Sequence, residues 1–266
     1  MTRTLAHLSD LHLGRSEDDV ATLRALVSAL VEARVDQVVV TGDVTHRGRL
    51  DELSDFRRLT APIADRLTVV PGNHDRLGED AGRFLMRGRV AVERRDGLHL
   101  VRLDSTAPHN RRLIDSHGGL SAQDLDAAAE AVAAAAPGDL VAVLLHHHVH
   151  PLPGDDLWER LSDWVGLPWT AELAAGRALM ERIAGRCDLV LHGHRHVPAE
   201  LVLRRDLARP VRVVNAGSSV SLGRARLFTH AAGRLLGEGW LGCGSGSRRP
   251  SVVPLRPDPS GVPAAA

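Results

Sequence analysis

Few aromatic side chains, two cysteines, no excess of either charge and no long apolar run characterise these 266 residues. Aromatics make up 3% of the chain and tyrosine is absent, so the stacking platforms and basic groove of a strong nucleic-acid binder are missing. Lys plus Arg (33) equals Asp plus Glu (33), which leaves no global field to draw the chain to nucleic acid or anionic lipid. Cys187 and Cys243 are too few for a disulfide framework or a thiolate metal site. The longest helical-looking apolar stretch, Ala127 to Ala136, falls short of the roughly 18 residues needed to span a bilayer. No basic region, apolar stretch and cleavage signal follow one another from Met1, so no signal peptide is expected. A soluble protein of the cytoplasm, with no membrane partner, is the expectation.

What is abundant is histidine, 15 in all, gathered largely in three short clusters. Apolar, β-branched runs recur at Thr4 to Leu8, Gln37 to Val40, Leu67 to Val70, Leu140 to Leu145 and Asp188 to Leu191, each readable as a buried strand. Between the first two, Val20, Leu23, Leu26, Val27, Leu30 and Val31 line one helical face, which predicts a β-α-β unit with parallel strands. Leu50 to Leu59 and Ser121 to Ala135 are further helices, the latter opened by a Ser121/Asp124 capping pair. Asp96-Gly97 marks a hairpin. After His196, three strand-like runs (Ala199 to Leu203, Pro210 to Val214, Arg224 to Thr229) lack intervening helices, as a second sheet would need. The expected fold is α/β, a four-layer α-β-β-α sandwich of two mixed sheets with flanking helices. Residues 1–241 form the domain, and residues 242–266, rich in Gly, Ser, Pro and Arg, are expected to be a mobile tail.

Nearly every expected strand runs into metal-ligand residue types: Asp10-Leu11-His12, Gly42-Asp43, Gly72-Asn73-His74-Asp75, His146-His147-His148 and His192-Gly193-His194. Ligands bind where parallel strands end, so five such clusters converge on one rim. Each has a plain alternative. Asp10 is also a helix cap, Gly42-Asp43 and Gly72-Asn73-His74-Asp75 are turn chemistry, and a pair of loop histidines needs no function. Gly193 lets the imidazoles around it approach a common point without a Cβ in the way. An Asp-x-His, a Gly-Asp and a Gly-Asn-His-Asp in this order are poorly explained by chance.

In that order the clusters resemble the calcineurin-like metallophosphoesterase family, whose pattern is D-x-H, G-D, G-N-H-D or G-N-H-E, a later His and G-H-x-H. The likeness spans Asp10 to His194 and extends to Asn215-Ala216-Gly217-Ser218. The resemblance implies a first metal held by Asp10, His12 and His194, a second by Asn73, His146 and His192, and Asp43 bridging both. It implies two divalent metal ions, Mn(II) first, with Fe or Zn as alternatives, and His74 as the group that steadies charge and protonates the leaving oxygen; the plain alternative, a hydrogen-bonding His74 oriented by Asp75, is compatible with that role. His147 stands beside His146 as an alternative ligand. His46 takes the place where many relatives carry a second acid, and its role, like those of His148, His150 and His196, stays open. Arg15 and Arg195 flank the clusters as phosphate contacts or solvated side chains.

Ser9-Asp10-Leu11-His12 and the histidines before Pro151-Leu152-Pro153 resemble the class III cyclic-nucleotide phosphodiesterases, so the expected partner is a phosphodiester small molecule of the cyclic-nucleotide type. Asp10-Leu11-His12-Leu13-Gly14 also resembles the opening of DNA-repair nucleases in the same family, and a scaffold without turnover is a third reading. Trp158, Trp164 and Trp169 fall between the fourth and fifth clusters, in a segment expected to cap the site or to form an oligomer contact.

Overall fold

Strands β1 (Arg3–Leu8) and β2 (Gln37–Thr41) pair in parallel, with helix α1 (Glu17–Glu32) crossing between them. Ser16 caps α1 by accepting a hydrogen bond from the backbone of Asp19, and Glu17, Asp18 and Asp19 place negative charge at the positive end of the helix. A second crossover through α2 (Leu50–Thr60) sets β3 (Leu67–Val70) parallel to β2. In this computed structural model, residues 1–112, 116–150, 173–244 and 251–254 are described. The Trp158 to Trp169 segment lies outside them.

The other half begins with a hairpin of β4 (Val90–Arg95) and β5 (Leu98–Leu103) turning at Asp96-Gly97. Helix α3 (Ala122–Ala133) starts with the expected reciprocal cap: Ser121 Oγ accepts from Asp124 N, and Asp124 Oδ2 accepts from Ser121 N at 2.8 Å. Then come β6 (Leu140–Leu144), α4 (Gly176–Ile183), β7 (Leu189–His192), β8 (Ala199–Leu203) and β9 (Val211–Asn215). A single turn, α5 (Ser219–Leu222), leads to β10 (Arg224–Ala231), β11 (Arg234–Gly242) and β12 (Ser251–Pro254).

The described strands form two six-stranded mixed sheets, ordered β12-β11-β10-β1-β2-β3 and β4-β5-β6-β7-β9-β8. The runs after His196 therefore do not make a sheet of their own. Strands β8 and β9 join β4 to β7, while β10 returns antiparallel to β1 and carries β11 with it. Beyond residue 242, Ser251–Pro254 pairs antiparallel with β11.

Strand alternation sorts the core into layers. Leu5, Val39, Val70, Leu100, Ala142, Leu144, Leu191 and Phe228 fill the space between the sheets. Ala6, Leu8, Val38 and Val40 lie under α1 and α2, and Val101, Leu103, Val141, Val143 and Val190 lie under α3 and α4. The result is the four-layer α-β-β-α sandwich. Each fully buried Val or Leu contributes roughly 1.5–3 kcal/mol, enough in sum to hold strained loops at the rim. An ion quartet also ties the sheets together: Glu238 of β11 meets Arg212 of β9 at 2.9 Å and Arg226 of β10 at 3.1 Å, and Glu200 of β8 pairs with both arginines. Among the described residues no helix is long and apolar enough to cross a membrane.

Candidate metal centre

Parallel strands β1, β2 and β3 of one sheet and β6 and β7 of the other end at a common rim, and the loops that follow are zipped together there. Asp10 N donates to Gly42 O at 3.1 Å, His12 N to Asp43 O at 2.9 Å and Leu13 N to Val44 O at 3.0 Å. Asp10 (φ 54°), His12 (φ 45°), Asp43 (φ 49°), His194 (φ 75°) and His196 (φ 54°) all take left-handed backbone conformations. Such residues cost on the order of 1–3 kcal/mol each when they are not glycine, and they gather at functional sites. Here the strain is spent on turning side chains toward one point. Close approach does the rest: a Cβ on Gly193 would lie 1.9 Å from Ser9 Oγ, and one on Gly72 would lie 2.2 Å from Asp43 Oδ1.

Two groups of donors share Asp43. In the first, His196 Nε2 lies 3.3 Å from Asp10 Oδ1 and 3.0 Å from His12 Nε2, and His12 Nε2 lies 3.8 Å from Asp43 Oδ2. One donor atom from each of Asp10, His12, Asp43 and His196 falls within 4.8 Å of the others. In the second, His146 Nε2 lies 3.4 Å from Asp43 Oδ2 and 3.0 Å from Asn73 Oδ1, and His194 Nδ1 is 3.1 Å from the same Asn73 oxygen.

This arrangement differs from the sequence expectation, which put His194 with Asp10 and His12, and His192 with Asn73 and His146. The structure places His196 and His194 in those positions. Strand parity is the reason. Leu189 and Leu191 of β7 face the opposite sheet and Val190 faces α3 and α4, so His192 follows Val190 away from the rim interior. Its ring bonds through Nδ1 to the carbonyl of Gly193, 3.1 Å away, and among the described residues no hydrogen bond, ion pair or ring contact joins it to another candidate ligand. The signal was in the sequence: G-H-x-H reads directly as Gly193-His194-Arg195-His196.

The same parity separates His146 from His147. His146 Nδ1 donates to Thr41 O across the inter-sheet space at 2.7 Å, which leaves Nε2 as the bare nitrogen facing Asp43 and Asn73. His147 turns away, its nitrogens engaged by Ser105 Oγ and Ser116 O, each at 2.8 Å. His74 N donates to Asp43 Oδ1 at 2.9 Å, and its ring Nδ1 donates to His46 O at 2.8 Å, so the His46 backbone fixes the half-buried ring. Asp75 does not orient His74. It accepts from Thr45 N at 2.8 Å, Thr45 Oγ1 at 2.7 Å and Gly72 N at 2.9 Å, and so staples the loop after β3 to the loop after β2. The His46 ring stacks on that of His74, and the His148 ring on that of His194. Arg15 pairs with Asp19 at 2.8 Å.

Burial pushes the His12 ring down to about 4 and His194 well below the usual histidine range, which keeps both neutral as lone-pair donors. For His146 burial acts the same way, yet Asp43 and Asp10 outweigh it and push the ring up to about 9. Burial would raise Asp43, but the charges of His146 and His74 hold it well below the carboxylate range. Asp10 and Asp43 are buried, and their ion pairs are with histidines; no arginine bridges to either among the described residues. Two desolvated carboxylates without a permanent cation, set among the rings of His12, His146 and His196, fit a pair of divalent metal ions. The donors are carboxylate and amide oxygens and imidazole nitrogens, a set suited to Mn(II), Fe or Zn.

Against known proteins, residues 3–198 match the family described as calcineurin-like phosphoesterase. The chain belongs to this family. Among relatives of the calcineurin-like phosphoesterase, a probable cyclic nucleotide phosphodiesterase of Rhodococcus erythropolis is 32% identical over 162 residues, which are 54% of this chain and 51% of that protein. The 3',5'-cyclic adenosine monophosphate phosphodiesterase CpdA of Pseudomonas aeruginosa is 32% identical over 164 residues, 57% of each chain. The alignments thus span about half the length of these curated relatives. A match to the DNA double-strand break repair protein Mre11 of Archaeoglobus fulgidus, 29% identical, covers 30% of this chain and 21% of that one. A dimetal phosphatase from Danio rerio superposes with a TM-score of 0.62 over 90% of this chain and 95% of its own, at 13% identity, a likeness of fold.

Proposed function

We propose that this calcineurin-like phosphoesterase hydrolyses phosphodiester bonds, with cyclic nucleotides as the substrate class. In this reading Asp10, His12, Asp43 and His196 hold one divalent metal ion, and Asp43, Asn73, His146 and His194 hold the other. The observation that carries it is the sharing of Asp43 between two donor groups that lack any arginine counterion among the described residues. Bound there, the two cations would supply Lewis-acid polarisation of a phosphoryl group and an acidified water at neutral pH.

The chain's own groups prepare the rest. Thr41 O fixes the His146 tautomer, and His46 O fixes that of His74, so that His74 presents Nε2 to a leaving oxygen. As the imidazolium, with Nδ1–H kept on His46 O, His74 would give its Nε2 proton to the oxygen released as the phosphorus–oxygen bond breaks and end as the neutral Nδ1–H tautomer. Asp43 Oδ1, by accepting from His74 N, keeps His74 beside the donors it serves.

The 32% identity to two proteins named for cyclic-nucleotide hydrolysis favours that substrate class, while the match to Mre11 favours a nuclease as the second reading. The test is turnover with added Mn(II) of cyclic AMP, bis(p-nitrophenyl) phosphate and a labelled DNA single strand. Hydrolysis of cyclic AMP with the strand left intact supports the first reading. Cleavage of the strand without cyclic-nucleotide turnover replaces it with the second, and full activity after exhaustive chelation would sink both.

A further inference from the structure

At the pole opposite the candidate metal centre, where β2 and β3 begin, a cavity of about 560 Å³ is lined by Arg34, Arg66 and Arg95. Its floor is Asp36 and Gln37, and a second cavity of about 320 Å³ shares that floor and Arg95. Two acids line it as well, Asp36 and the exposed Asp65. Asp36 accepts from Arg3 at 3.2 Å and from Thr4 N at 2.8 Å, and Glu93 is taken by Arg95. Arg66 forms an ion pair with Asp65 at 3.6 Å, which leaves guanidinium donors over, and among the described residues its buried Nε has no acceptor. No acid is paired with Arg34 among the described residues. Arg34 also sits in a left-handed conformation (φ 51°) just past the end of α1, where glycine would be free of strain but would bring no charge.

Guanidinium groups with unmet donors around a concavity match the planar, multidentate contacts that phosphate offers. The volume lies within the range of small-molecule sites and exceeds what a lone inorganic phosphate fills. Among the described residues no aromatic side chain lines it, so nothing there stacks a nucleobase. We propose that this cavity binds a phosphorylated, non-aromatic small molecule, of the sugar-phosphate class, through Arg34 and Arg66. The site shares no residue with the metal centre, and its existence does not depend on the reaction proposed there.

Calorimetric titration of the metal-loaded full chain with the methylene-phosphonate analogue of glucose 6-phosphate, which cannot be cleaved, tests this. Saturable binding is expected in the unaltered protein. It should weaken roughly tenfold or more in Arg34→Gln, further in the Arg34→Gln/Arg66→Gln pair, and not at all in His196→Ala. Arg34 is exposed, so its single variant should fold, and a melting curve checks this. Binding abolished by His196→Ala but kept in the arginine variants would put the ligand at the metal centre and overturn the proposal. Absence of saturation up to about 10 mM would do the same, and citrate binding as tightly as the phosphonate would overturn the phosphate assignment.

Discussion

Replacing the two histidines that flank His194 at either side separates two readings of the His192 to His196 stretch. His196 Nε2 lies 3.0 Å from His12 Nε2 and 3.3 Å from Asp10 Oδ1, so His196→Ala removes a donor from the first cation position. Loss of a group that merely supports a metal ligand costs about 10–100-fold in affinity. A direct donor should cost at least the upper figure, which is about 2.8 kcal/mol at roughly 1.4 kcal/mol per tenfold. His192→Leu is a different perturbation, because it deletes a buried ring whose Nε2 has no partner among the described residues. An unsatisfied buried polar atom costs roughly 1–3 kcal/mol, so its removal should be neutral or stabilising. With about 2–4 °C per kcal/mol for a chain of this size, the melting temperature should hold or rise by a few degrees. Both variants are dialysed against limiting Mn(II), bound metal is counted by mass spectrometry, and turnover of bis(p-nitrophenyl) phosphate is measured. His196→Ala should retain about one metal per chain and His192→Leu two, with near-normal turnover. The reverse pattern would refute the parity argument and restore His192 as a ligand.

Replacing His74 by Ala should preserve metal content and depress turnover by roughly 10² to 10⁴, and unchanged turnover would remove His74 from the mechanism. In the chelated chain His146 is pushed from 6.5 up to about 9, so its protonated ring stabilises the fold fully below about 6.5, and that contribution is lost as the pH rises through 9. His12 and His192, held at about 4, act oppositely: folding favours their neutral rings, so stability falls as the pH drops from 6.5 toward 4. The melting temperature of the metal-free chain should accordingly peak near neutrality, and a steady rise from pH 6 to 9 would contradict the His146 environment. Glu200→Gln leaves Arg212 and Arg226 with Glu238 alone, and because the quartet is about one-fifth exposed the expected loss is discounted to roughly 1–3 kcal/mol. An unaltered denaturation midpoint in that variant would show the quartet to be screened.

The succession of elements was legible in the sequence because its causes are local. Helical spacing from Val20 to Leu30, the Ser121/Asp124 cap and the Asp96-Gly97 turn each act within a few residues, and the structure has them where the sequence put them, although Val31, expected on the same helical face, is exposed. The candidate ligands were legible as clusters for a similar reason: a buried strand that runs straight into carboxylates and imidazoles places costly polar groups at the edge of the core, which folding alone does not require. Which member of a cluster faces inward was decided by tertiary structure. His146 is distinguished from His147 by a carbonyl of β2, 105 residues away in sequence, and His196 is brought to Asp10 only because the backbone beyond β7 turns left-handed twice. Asp75 likewise found its partners in another loop, and β10 its place beside β1 rather than β9. Composition and periodicity set what each segment becomes; the direction of a side chain past the end of a strand depends on contacts with segments far along the chain, and those exist only once the sheets have packed.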